Sequence, residues 1–153
     1  MTTLTSHLVV RNPDRAAAWY RDVLGAVETS RITLPGDRVL SIDLQFGDSL
    51  LAISDEFPDA GIVSPETLGG TYGALHLAVE DADAVWARAL TAGAKPFEPL
   101  QDAFWGERTG QFLDPFGHRW AIDQHLRDVP AEEIARLAAA AFGPAPAEPA
   151  GPA

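Results

Sequence analysis

SHLVVRNPDRAAAWYRDVLGA, residues 6 to 26, and LHLAVEDADAVWARALTAGA, residues 75 to 94, read as two copies of one structural phrase. Each opens on a short alternating strand, passes an Asn or Asp suited to capping, and continues as an amphipathic helix to Gly25 or Gly93. His7 and His76 coincide at a spacing of 69 residues. The same spacing separates LLAIS (50–54) from RWAID (119–123), so Ala52 matches Ala121. The turns before them also correspond, QFGDS against DPFGHR. Two matches that share one spacing mark an internal repeat.

Each half therefore reads strand, helix, then further strands. Asn12 caps and Pro13 opens the first helix, whose Ala16, Trp19, Tyr20, Val23 and Leu24 form one stripe. VLSIDLQF (39–46) and SLLAIS (49–54) flank a Gly-Asp turn, which predicts a hairpin. The second half gives LHLAVE, a helix from Ala82 to Ala92, a strand near RTGQFL, and RWAID. Between the halves, EFPDAGIVSPETLGGTYG (56–73) is rich in Pro and Gly and reads as a long connecting loop. DVPAEEIARLAAAAFG (128–143) predicts a C-terminal helix, with Glu132 and Glu133 at its positive end. The expected organisation is one domain over 1–128, with modules at 3–56 and 72–126. A helix over 129–143 follows, then a Pro-rich disordered tail over 144–153.

The composition bounds the function. The 153 residues fit one domain with a real core. With no cysteine, thiolate metal sites and cysteine nucleophiles are excluded. A formal charge of −11 argues against nucleic-acid binding, which needs a basic face. No apolar run reaches membrane-spanning length, and Met1 is not followed by a signal-peptide pattern, so a cytoplasmic protein is expected. Phosphate loops, GxSxG elbows, dinucleotide fingerprints and HExxH motifs do not occur.

Strand periodicity sorts the residues into two faces. Leu8, Val10, Leu51, Ile53, Leu75, Leu77, Val79, Trp120 and Ile122 share the bulky side, as expected beneath helices. Thr5, His7, Ala52, Ser54, Ala74, His76, Ala121, Arg119 and Asp123 fall on the other. A face lined by small and polar groups is solvated or walls a cavity.

VVRNPDRAAAWYRDVLGA, LHLAVEDADAVWARALTAGA and DPFGHRWAID, in this order and spacing, resemble the vicinal oxygen chelate superfamily. This superfamily holds glyoxalase I, extradiol dioxygenases, fosfomycin-resistance enzymes and bleomycin-resistance proteins. The resemblance covers about residues 3 to 128 and implies an α+β fold of paired βαβββ modules curled around a cavity, often in a homodimer. It places Thr5, Ala52, Ala74 and Ala121 where metal-using members keep four ligands. Alanine offers no lone pair, so neither a metal nor another cofactor is expected there. AFWGERTGQFLDPFG (103–117) is similar to drug-binding members, which implies Trp105 and Phe104 as a stacking surface for a planar ligand.

The candidate ligand-binding residues are His7, Asp43, Ser54, His76, Phe104, Trp105, Arg119 and Asp123. His7, His76 and Asp123 are also the candidate acid–base groups, since imidazoles exchange protons near neutral pH and a carboxylate orients them. A plainer role pairs Asp123 with Arg119. Ser41 shares the face of Asp43. Asp114, Pro115 and Gly117 are expected to shape a turn, with His118 exposed in it, while His125 belongs to the junction with the last helix. Trp19 and Trp86 read as core or interface, and Asp55 and Glu56 as a solvated loop.

The leading expectation is metal-independent binding of an aromatic or cationic small molecule, for antibiotic or toxic-metabolite sequestration. The alternative is a cofactor-independent lyase, isomerase or cyclase using the His and Asp groups. A metal-dependent lyase or dioxygenase with relocated ligands stands behind both.

Overall fold

The capping residues of the repeat set the two long helices. Asn12 accepts a hydrogen bond from the Arg15 amide at 3.1 Å and starts α1 (Pro13–Leu24), which Gly25 ends at φ +78°. Asp81 accepts from the Ala84 amide at 3.0 Å and starts α3 (Ala82–Thr91). The computed structural model describes residues 1–144, 149, 151 and 152. The expected tail therefore lies mostly outside the described residues.

The first module runs β1 (Ser6–Val9), α1, β2 (Val27–Leu34), β3 (Arg38–Phe46) and β4 (Ser49–Ser54). A bridge containing a 3-10 turn (Pro58–Ala60) and the short α2 (Pro65–Leu68) follows. The second module is β5 (Ala74–Ala78), α3, β6 (Lys95–Asp102), β7 (Glu107–Leu113) and β8 (Arg119–His125). α4 (Ala131–Phe142) comes last. The sheets have orders β1-β4-β3-β2 and β5-β8-β7-β6, with the outer pairs β1·β4 and β5·β8 parallel. This is the α+β, paired βαβββ arrangement. The sequence pattern missed β2 and β6, and it read as loop a bridge that holds two short helical turns.

One core joins the modules. Ile42, Leu44 and Ile53 from the first sheet, and Phe112 and Ile122 from the second, are fully buried under α1 and α3. Burial of each such side chain contributes about 1.5–3 kcal/mol. The helices also exchange polar ties: Trp19 Nε1 donates to the Ala92 carbonyl at 2.9 Å, and Arg88 Nε to the Val23 carbonyl at 2.9 Å. Trp19 stacks edge-on to Phe112 and Phe116, and Trp86 to Phe112.

The turn after β7 is the strongest polar link between the modules. Asp114 Oδ1 accepts from the Phe116 and His118 amides, and Oδ2 from Tyr20 Oη at 2.5 Å and Trp120 Nε1 at 2.9 Å. Gly117 closes the turn at φ +89°, a conformation that L side chains avoid. His118 corrects the sequence expectation. It is buried rather than exposed, because the turn folds under the first module and its Nε2 pairs with the Val9 carbonyl at 2.9 Å.

Candidate functional site

The helix-free face of each sheet carries a matching row. His7 on β1, Ala52 on β4 and Asp43 on β3 are register partners, and Ser30 on β2 follows. In the second sheet the corresponding row is His76, Ala121 and Gln111, beside the row Ala78, Asp123 and Thr109.

Each histidine is held within its own module. His7 Nε2 lies 2.8 Å from Ser54 Oγ, whose hydroxyl donates to the Asp55 carbonyl at 3.0 Å. That direction makes His7 Nε2 the donor and leaves Nδ1 as an acceptor. His76 is built differently. Its Nδ1 donates to Asp123 Oδ2 at 2.6 Å, and Thr109 Oγ1 donates to Asp123 Oδ1 at 2.6 Å. Both carboxylate oxygens are thus engaged, the imidazole is oriented, and Nε2 has no partner among the described residues. The side chain of Asp123 is only 14% exposed, against 63% for His76.

The expected Asp123–Arg119 pair does not form, because Asp123 turns to His76 and Thr109. Arg119 instead lies over the Phe97 ring, 4.9 Å from its centroid. Asp43 accepts from Ser30 Oγ at 2.8 Å and Ser41 Oγ at 3.2 Å. Phe104 and Trp105 sit edge-to-face at the β6–β7 hairpin, 4.9 Å apart, with Phe104 against Phe142 of α4. Trp105 Nε1 donates to Glu107 at 2.9 Å. Neither ring lines the clefts described next.

A cleft of about 830 Å³ opens between β1 and β5, the facing edges of the two sheets. Phe46, Leu51, Leu75, Leu77 and Trp120 give it an apolar lining, and Asp48 and His76 add polar groups. Phe46 and Trp120 lie 5.8 Å apart at a 45° tilt. His7 lines a separate cleft of about 390 Å³ bounded by the bridge. The two histidines therefore serve different clefts rather than facing one another in one.

The bridge is fixed by Glu56, which accepts from Ser64 Oγ, the Ser64 amide and Thr67 Oγ1. The Ser64 hydroxyl foremost, then Thr67, lower its carboxyl to about 2. Asp55 accepts from the Val39 amide at 2.7 Å. Burial, ahead of the Asp114 charge, raises the Tyr20 phenol well above its ordinary value. Burial likewise raises the Asp114 carboxyl, against the hydrogen bonds it accepts.

Thr109, Phe46 and Trp120 were not singled out as site residues by the sequence. A signal for Thr109 was present: pairing Leu113 with Arg119 across the DPFGH turn sets Thr109 opposite Asp123. The sequence placed Trp120 beneath the helices, where it is 3% exposed, yet it also borders the cleft.

Paired βαβββ modules with a cleft at the facing edges of their sheets go with the family model that matches residues 3–122, and the protein is a member of the Glyoxalase/Bleomycin resistance protein/Dioxygenase superfamily. Among relatives, the protein Mb0911c of Mycobacterium bovis is 37% identical over 134 residues, covering 86% of this chain and 88% of that one. The crystal structure of TioX from Micromonospora is 28% identical at a TM-score of 0.62, covering 82% and 100% of the two chains. TnmS3, an antibiotic binding protein from Streptomyces, shares the fold at 22% identity and a TM-score of 0.62, covering 82% and 96%.

The resemblance implies that metal-using members hold their ion on ligands at the positions of Thr5, Ala52, Ala74 and Ala121. Three methyl groups and one exposed hydroxyl do not fit that ion. Among the described residues, no group of three or more His, Asp or Glu side chains is arranged to hold a metal elsewhere.

Proposed function

We propose that the protein binds a small organic molecule in the cleft between β1 and β5 without the help of a metal, and that it thereby sequesters an antibiotic or toxic metabolite. The cleft itself carries this reading. Its 830 Å³ suits a drug-sized molecule, and its lining sets apolar side chains beside polar ones that can orient a ligand, Thr5, Ser6, Asp48, Ser49 and His76 among them. Phe46 offers an aromatic ring to a planar ligand, and Asp48 a charge to a cationic one. The likeness to TnmS3, an antibiotic binding protein, is consistent with binding of this kind. The absence of ligand donors at Ala52, Ala74 and Ala121 supports metal independence.

The test is a titration of chelator-treated protein with a panel of planar aromatic compounds, read by tryptophan quenching and by recovery of the compound. Saturable quenching with unchanged compound supports sequestration; no saturable binding across the panel, or conversion of the compound, contradicts it.

A second reading draws on one observation, the Thr109–Asp123–His76 chain. An imidazole with Nδ1 fixed on a carboxylate and Nε2 free is the arrangement of a general base, and it would suit a cofactor-independent lyase, isomerase or cyclase. Turnover that collapses in both His76→Gln and Asp123→Asn supports it.

We also propose a cytoplasmic homodimer. The edge strand β2 exposes Val27 and Ile32, apolar surface that a second copy could cover. Sedimentation at micromolar concentration distinguishes dimer from monomer.

A further inference from the structure

We infer that Arg119, in a groove under the bridge between the modules, is a second binding site that takes the carboxylate of a small apolar acid, apart from the cleft between β1 and β5. Arg119 does not line the β1–β5 cleft, so this site goes beyond the binding reading above and stands or falls apart from it.

Two clefts meet at this arginine. One, of about 400 Å³, is lined by Phe97, Leu113 and Gly69; the other, of about 390 Å³, by His7, Leu8 and Tyr72. They share Pro65, Gly70, Thr71 and Arg119, so the two clefts adjoin at this arginine. The chain holds 22 acidic residues against 11 basic ones, yet no carboxylate of the described residues lies within ion-pairing distance of Arg119. Arg11, Arg21, Arg31 and Arg108 have such partners and Arg15, Arg38, Arg88, Arg127 and Arg136 do not, but among the described residues Arg119 is the arginine with a buried nitrogen that lacks any hydrogen-bond partner.

The side chain is nonetheless held in place. Its guanidinium lies over Phe97, and Nε is buried without any hydrogen-bond partner. Partial desolvation without a counter-charge is unfavourable for the free protein and strengthens pairing with an arriving anion. A planar guanidinium fork matches a carboxylate, while Phe97 and Leu113 on one side and Leu8 and Tyr72 on the other can accept apolar parts of the same molecule. Glu66 also lines the groove, but its carboxylate is engaged by Arg11 at 3.4 Å. The net charge of −11 opposes an anion only weakly at this point. Charges farther than the Debye length, about 8 Å at physiological ionic strength, are largely screened, whereas direct contact is not.

The test compares 2-naphthoate and indole-3-acetate with their primary amides by isothermal titration against the full chain, alongside Arg119→Gln and Arg119→Lys. The acids should bind at least about tenfold more tightly than the amides. Arg119→Gln should abolish that difference, while Arg119→Lys, keeping the charge without the fork, should retain part of it. Amides binding as well as acids, acids binding unchanged in Arg119→Gln, or failure of both acids to bind would each overturn the inference. Neutral or cationic aromatics that quench the tryptophan emission while both acids fail would overturn the carboxylate inference and leave the binding reading standing. The acid-to-amide ratio in the unaltered protein decides the matter even if a variant does not fold.

Discussion

Tyr20 on α1 donates a 2.5 Å hydrogen bond to Asp114, which lies 94 residues later in the other module. The pair is buried among Trp120, Phe116 and Trp19, so the two halves of the repeat are tied by a carboxylate that already accepts three further hydrogen bonds. Tyr20→Phe leaves that buried oxygen short of one donor and should destabilise the protein by about 1–3 kcal/mol in urea unfolding. An unchanged urea midpoint contradicts the assignment.

The same tyrosine predicts an alkaline limit. Its folded-state value lies above the ordinary 10.0, so the folded protein retains the proton longer than the unfolded chain. Stability from this group is complete below pH 10 and falls as pH rises through the folded value. Tyr20→Phe should flatten that alkaline fall, measured as unfolding midpoint against pH.

Glu56 sets an opposite, acidic dependence. Its value is lowered from 4.5 to about 2 by Ser64 and Thr67, so it contributes stability above 4.5 that is lost as pH falls through about 2. Glu56→Gln should reduce the difference in stability between neutral pH and pH 2. A variant with the unaltered acid profile places the dependence elsewhere.

Gly110 in β7 marks a close approach. A Cβ there would lie 2.8 Å from Leu100 Cα, 2.9 Å from Leu100 N and 3.0 Å from a Trp86 ring carbon. The irregular β6–β7 register between Glu98 and Gln101 is at this contact. Gly110→Ala should therefore lower stability by about 1–3 kcal/mol. Thermal denaturation matching the unaltered protein would show that β6 can yield.

The repeat made most of the fold legible, because strands beneath helices alternate and helices announce their caps. β2 and β6 left no such trace. VETSRITL and KPFEPLQD are edge strands, largely exposed on both faces, so burial imposed no alternation on them. The site was legible in its faces but less so in its pairings. Periodicity put Asp123 with His76 and Arg119 on one side, yet could not say which would bond, because a shift of one neighbour along the sheet decides it. His118 misled for a similar reason: a turn residue is ordinarily solvated, and only the packing of this turn on β1 buries it.

The central claim is that a small molecule occupies the cleft between β1 and β5 without a metal. Chemical-shift mapping on chelator-treated protein, titrated with an aromatic compound found by quenching, tests it most directly. Shifts concentrated at Leu51, Leu75, His76, Leu77 and Trp120, and unchanged on adding divalent metal, are the predicted result. Shifts confined to other surfaces, or binding that appears only when metal is supplied, would contradict it.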